Sequence, residues 1–236
     1  MLYVTGDTHG EEGRFTYLQS PLEKYLSEKD KLIVCGDFGY LFKGSNSEKE
    51  FLEYMSKKPY QILWVDGNHE NFDLLDTYPI ESWCGGKVHV IQRDEVGTPK
   101  IIHLMRGQVF EIEGKKIFTF GGGYSIDKAV RTPHRSWWQQ EMPTDEEMKE
   151  AIENLQKYNN EVDYIITHTA PEETMYIIHP NHLEEKPLNN FLEDIRKTVT
   201  YKHWYMGHLH QDRDLFRSQT VLFFDVRNIE TNEIVE

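Results

Sequence analysis

YQILWVDGNHE, residues 60–70, is the stretch on which the fold turns. YQILWV reads as a buried strand, an apolar run with little polar alternation. Asp66-Gly67-Asn68 ends it in the manner of a turn. Asn68 and His69 then stand side by side where the strand stops. They fit a turn that opens a helix, and they equally fit half of an active site.

Upstream, LYVTG (2–6) and KLIVCGD (31–37) are two more short apolar runs. Between them, Phe15, Leu18, Leu22, Tyr25 and Leu26 recur at helical spacing, which predicts a helix over 13–27. Phe51, Leu52 and Met55 share one face of a second helix over 47–57. The alternation βαβαβ implies a parallel sheet with right-handed crossovers. Downstream, KVHVI, KIIHLM and QVFEIEGKKIFTFGGG read as short strands, the last a hairpin about Glu113-Gly114. Thr144 with Glu147 is a capping-box start for a helix running to about residue 158. VDYIITH is a strand and LNNFLEDIRKTV a helix, and HWYMGH, RDLFR and TVLFFDV are strands. No repeat or linker divides the 236 residues, so they read as one α/β domain, with a polar tail from about residue 228.

Asp, His and Asn gather just past the strand ends. GDTHG carries Asp7 and His9, CGDFG carries Asp37, and GNHE carries Asn68 and His69. His168 follows VDYIIT, and GHLHQ carries His208 and His210. One such residue after a strand is usually a cap or a turn. Five strand ends supplied in this way form a pattern, because ligands of α/β sheets bind beyond the carboxyl ends of the strands. Residues i and i+2 of an extended segment face one side, so Asp7 with His9, or His208 with His210, can grip an ion. Mixed oxygen and nitrogen donors without thiolate suit Mn, Fe, Zn or Co. The donors exceed one tetrahedral site, which points to two ions.

In this order the blocks GDTHG, GD, GNHE, H and GHLH resemble the calcineurin-like metallophosphoesterase superfamily over nearly the whole chain. The resemblance implies a sandwich of mixed β-sheets flanked by helices, with a dinuclear metal centre at the strand ends. It also implies that Asp7, His9, Asp37 and His210 hold one ion. Asp37 would bridge to a second, held with Asn68, His168 and His208. His69 would face the substrate without binding metal, as a proton donor or a positive charge. The implied chemistry is hydrolysis of phosphate mono- or diesters by a metal-bridging hydroxide. Two ions ~3.5–4 Å apart clamp an in-line displacement and lower the pKa of water from ~15.7 toward ~7.

The second block departs from the protein Ser/Thr phosphatase branch. GDFGYLF places Tyr40 and Leu41 where that branch keeps an Asp and a phosphate-holding Arg. Tyr40 or another carboxylate is then expected to orient His69. Arg131, in the glycine-rich GGGYSIDKAVR, leads Arg14 as the candidate phosphate contact, because the guanidinium fork matches phosphate. The remaining histidines, His89, His103, His134, His179, His182 and His203, fit no ligand block and read as structural or exposed.

A formal net charge of -14 disfavours non-specific binding to nucleic acid and to anionic membranes. A phosphorylated small molecule or nucleotide is the leading expectation for the substrate, with a phosphoprotein or a nucleic-acid end as alternatives. No apolar run reaches membrane-spanning length. Cys35 and Cys84 suggest no disulfide framework and fit a reducing cytoplasm. The competing class is a non-catalytic scaffold on the same fold.

Overall fold

The structure, a computed structural model, describes residues 1–18, 20–180 and 183–235. His182 lies outside the described residues. Among the described residues the chain runs β1 (Leu2–Thr5), α1 (Gly13–Thr16), α2 (Pro21–Lys24), β2 (Lys31–Val34), α3 (Asn46–Ser56), β3 (Gln61–Trp64) and α4 (Phe72–Leu75). Then come β4 (Ile80–Trp83), β5 (Gly86–Arg93), β6 (Pro99–Leu104), β7 (Gln108–Ile112), β8 (Lys115–Phe120) and α5 (Asp145–Lys157). The last part holds β9 (Tyr164–Thr167), α6 (Glu172–Ile178), α7 (Lys186–Thr198), β10 (His203–Met206), β11 (Arg213–Leu215), β12 (Gln219–Val221) and β13 (Val226–Asn228).

The strands form two mixed sheets, ordered β13-β1-β2-β3-β6-β5-β4 and β11-β12-β10-β9-β8-β7. The first three strands are parallel neighbours, as the βαβαβ alternation requires. Period-two alternation sends each strand's side chains to two different cores. Leu2, Val4, Ile33 and Leu63 point between the sheets and meet Phe110, Ile117 and Ile166. Tyr3, Leu32, Val34, Ile62 and Trp64 point the other way, onto Phe15, Leu22, Leu52 and Met55 of the first helices. On the far side, Phe118, Phe120, Ile165 and Trp204 pack under Leu155, Leu188 and Leu192 of α5 and α7. Both faces of the central strands are covered, which is why β2, β3 and β9 are nearly continuous apolar runs.

The helix predicted over 13–27 is two four-residue pieces, α1 and α2. Pro21 causes the break. It disfavours helical backbone at Ser20, which is extended (ψ 132), and it starts α2 as a first-turn proline. The predicted capping box is present, with Glu147 N–H donating to Thr144 Oγ1 and Thr144 N–H to the Glu147 carboxylate. The strand β4 and the helix α6 carry no strong periodicity and are visible only in the structure. Past Asn228 the chain turns back: Ile229 is buried, and Val235 N–H donates to Val226 O at 2.8 Å.

Candidate metal centre

Parallel pairing fixes the geography of the site. The carboxyl ends of β1, β2 and β3 in one sheet, and of β9 and β10 in the other, emerge along one edge of the sandwich. The loops beyond them are stitched together. His9 N–H donates to Asp37 O at 2.7 Å and Gly10 N–H to Phe38 O at 3.0 Å. His69 N–H donates to Asp37 Oδ1 at 2.8 Å, and His208 N–H to Asp7 Oδ1 at 3.0 Å. The last of these joins the two sheets through a carboxylate buried to 1% exposure.

Asp7, His9, Asp37 and His210 each offer a donor atom within 4.8 Å of the others. His9 Nε2 and His210 Nε2 approach to 2.9 Å, and His210 Nε2 lies 3.1 Å from Asp7 Oδ2. Two imidazole nitrogens and a carboxylate oxygen turned toward one point are arranged as lone-pair donors. The backbone is bent to achieve this. His9, Asp37, His208 and His210 all have left-handed φ, between 48° and 65°. Such conformations cost about 1–3 kcal/mol each and collect at functional sites. Close approach also requires two glycines. A Cβ on Gly67 would overlap Asp37 Oδ1, and one on Gly207 would overlap Asp7 Oδ1.

A second group of donors adjoins the first. Cys35 O can only accept, so the 2.8 Å contact makes His168 Nδ1 the protonated nitrogen. His168 Nε2 is then a lone pair, 3.0 Å from Asn68 Oδ1 and 3.5 Å from Asp37 Oδ1. Asn68 is oriented in turn, donating through Nδ2 to Ser125 Oγ at 3.1 Å, while Ser125 Oγ donates to Glu141 at 2.7 Å. Asp37 reaches both groups. Burial opposes its ionisation, but His168, His69 and His9 around it hold the carboxyl below its usual range. The donor set, mixed in oxygen and nitrogen and free of thiolate, fits hard or borderline divalent ions.

His69 lies at the rim. Burial lowers its pKa, Asp37 opposes this, and Arg131 adds to the lowering. Arg131 Nη2 lies 3.4 Å from His69 Nε2 and is itself anchored on Asp127 Oδ1 at 2.6 Å and Ser136 O at 3.0 Å. An arginine only donates, so His69 Nε2 is the acceptor there.

The polar groups of two sequence-predicted residues are engaged elsewhere, although Tyr40 lines a cleft beside His69. Tyr40 does not orient His69: its hydroxyl donates to Glu11 O at 2.6 Å, and its ring packs on Phe38 and Phe51. Arg14 is engaged in holding structure, with bonds to Thr5 Oγ1 at 2.7 Å and Phe223 O at 3.1 Å beneath Phe224. Of the arginines, Arg131 is the one beside His69. Glu70, adjacent to His69, has Oε1 accepting from Phe38 N–H at 2.8 Å, and burial pushes its carboxyl well up.

Two clefts meet at His69. One of about 460 Å³ is lined by His9, Tyr40, Phe42, Lys43, Ser47 and Arg131. The other, about 410 Å³, has Tyr124, Ile126, Met175, Leu209 and His210 in its wall. Sequence reasoning missed Glu141, Thr169 and Glu185, which buttress the site from distant segments. Ser125 lies in the glycine-rich stretch that drew notice for Arg131. His89 and His103, expected to be structural, form a buried network with Asp66 and Arg106 behind β3.

The family description "Calcineurin-like phosphoesterase" matches residues 1–212. No curated protein matches the chain in sequence. Among solved structures, TT1561 of Thermus thermophilus is similar with a TM-score of 0.56 and 12% identity, covering 99% of this chain and 96% of that one. The phosphopantetheinyl hydrolase of Mycobacterium tuberculosis gives a TM-score of 0.44 and 14% identity, covering 94% and 87%.

Proposed function

The chain belongs to the calcineurin-like phosphoesterase family, and from that premise we propose that it is a metal-dependent hydrolase of phosphate mono- or diesters. The observation that carries the reading is the convergence of Asp7, His9, Asp37 and His210 within 4.8 Å at the sheet edge. In this reading those four hold one divalent ion, and Asp37, Asn68, His168 and His208 hold another. Manganese, iron and zinc all suit the donors. Ions held there supply Lewis acidity at a phosphoryl oxygen and an acidified water.

The chain's own residues do the rest. Asp7 and Asp37 among the ligands, with Glu185 behind His208, would set three carboxylates against two dications, so the centre would stay positive within an acidic surface and attract a phosphate. Arg131, held by Asp127, presents its guanidinium beside His69 and contacts a phosphoryl oxygen. His69 hydrogen-bonds the developing charge or the leaving oxygen. The clefts on either side of His69 leave room for groups on both sides of phosphorus, which favours a small phosphorylated molecule over a macromolecule.

Among the described residues no helix is long and apolar enough to cross a membrane. Both cysteines are free, which supports a reducing, cytoplasmic setting. The chain reads as one domain throughout.

The test is hydrolysis of aryl phosphate mono- and diesters with Mn²⁺, Fe²⁺ or Zn²⁺ added to chelator-treated protein. Turnover should depend on added metal and vanish in Asp37→Asn. Unchanged activity in Asp37→Asn would end this reading.

A further inference from the structure

Glu185 stands at the start of α7, where an acidic side chain usually caps the helix, yet it makes no side-chain cap bond. Its carboxylate turns inward instead and is 3% exposed. Oε1 accepts from Tyr124 N–H at 2.9 Å and lies 3.2 Å from His208 Nε2. Oε2 accepts from Thr169 Oγ1 at 2.9 Å and Asn189 Nδ2 at 3.3 Å. Three segments thus aim one carboxylate at one imidazole: the loop after β8, the loop after β9, and α7. Around Gly123, Glu185 Oε1, Asn68 Oδ1 and the His168 ring close in together, each 3.0–3.3 Å from where a Cβ would stand. The carboxylate therefore sits directly behind the second donor group.

We propose that Glu185 is the positioning residue of the second metal position, holding His208 Nε2 as a hydrogen-bond donor so that Nδ1 keeps the lone pair for the ion. A carboxylate behind a ligating histidine fixes its tautomer and ring orientation and raises its basicity. His168 receives the equivalent service from a carbonyl, Cys35 O, through its Nδ1. The two histidines of this position are thereby set in opposite tautomers by two different acceptors. The inference rests on the dinuclear reading above, and metal binding tests it without reference to turnover.

The experiment titrates Mn²⁺ into chelator-treated protein and counts bound ions by electron paramagnetic resonance. Wild type should bind two, and His208→Ala defines loss of the second. Glu185→Ala should weaken the second ion by about 10–100-fold, leaving the first unchanged. Glu185→Gln keeps an oxygen that can accept from Nε2–H, so it should bind the second ion more tightly than Glu185→Ala. A second ion bound as tightly by Glu185→Ala as by wild type overturns the proposal. So does equal loss in the Gln and Ala variants. Wild type that binds a single ion overturns the dinuclear reading itself.

Discussion

At the scale of single residues, adjacent side chains do different work because neighbouring positions diverge. Asn68 faces Ser125 and His168, while His69 faces Arg131 and the clefts. His69→Ala should therefore lower kcat by about 10²–10⁴-fold and leave two bound ions in place. Steady-state kinetics alongside metal analysis checks this, and loss of an ion would show that His69 is a ligand. The partner of His69 could not be read from the sequence. Tyr40 occupies the expected register, but its hydroxyl is drawn to Glu11 O by the aromatic packing of its own ring. Arg131 instead arrives 62 positions downstream, on a loop that no periodicity locates.

At the scale of elements, the legible features were those with local causes. The parallel strands β1 to β3, the hairpin of β7 and β8, and the start of α5 all follow from apolar runs, turn residues and caps. For α5 the local cause can be measured. Thr144→Ala removes the Oγ1 acceptor of Glu147 N–H and should cost about 0.5–2 kcal/mol in a denaturant titration. The same variant should bind metal as wild type does, because α5 sends no donor to the centre. Hydrophobic spacing continues across Pro21 from α1 to α2, while helical backbone cannot, so the spacing alone predicts one helix.

At the scale of the whole molecule, stability should carry the mark of a half-buried histidine. Burial lowers His203, opposed by Asp214 and reinforced by Arg227, to about 4. An unfolded histidine titrates near ~6.5. As pH falls below that value the unfolded chain takes the proton first, so stability drops between pH ~6.5 and ~4 and the contribution levels off below. His203 Nε2 pairs with Thr220 Oγ1 at 2.8 Å, a bond that glutamine can replace without titrating. In metal-free protein, the fall in urea midpoint from pH 7 to pH 4.5 should be smaller for His203→Gln than for wild type. An equal fall in both would mean that His203 contributes nothing to the acid limb.

The amino-acid sequence by itself determined the βαβαβ start, the covered faces of the strands and the set of donors at five strand ends. These are local in origin: periodicity, turn chemistry, and residue types whose position after a strand implies a shared edge. Only the tertiary structure decided which groups stand behind those donors. Glu185 and Glu141 come from segments brought to the site by the pairing of β8, β9 and β10 and the docking of α7. A hydrogen bond to a histidine from a distant segment leaves no trace in spacing, because contact depends on how the two sheets pack rather than on distance along the chain.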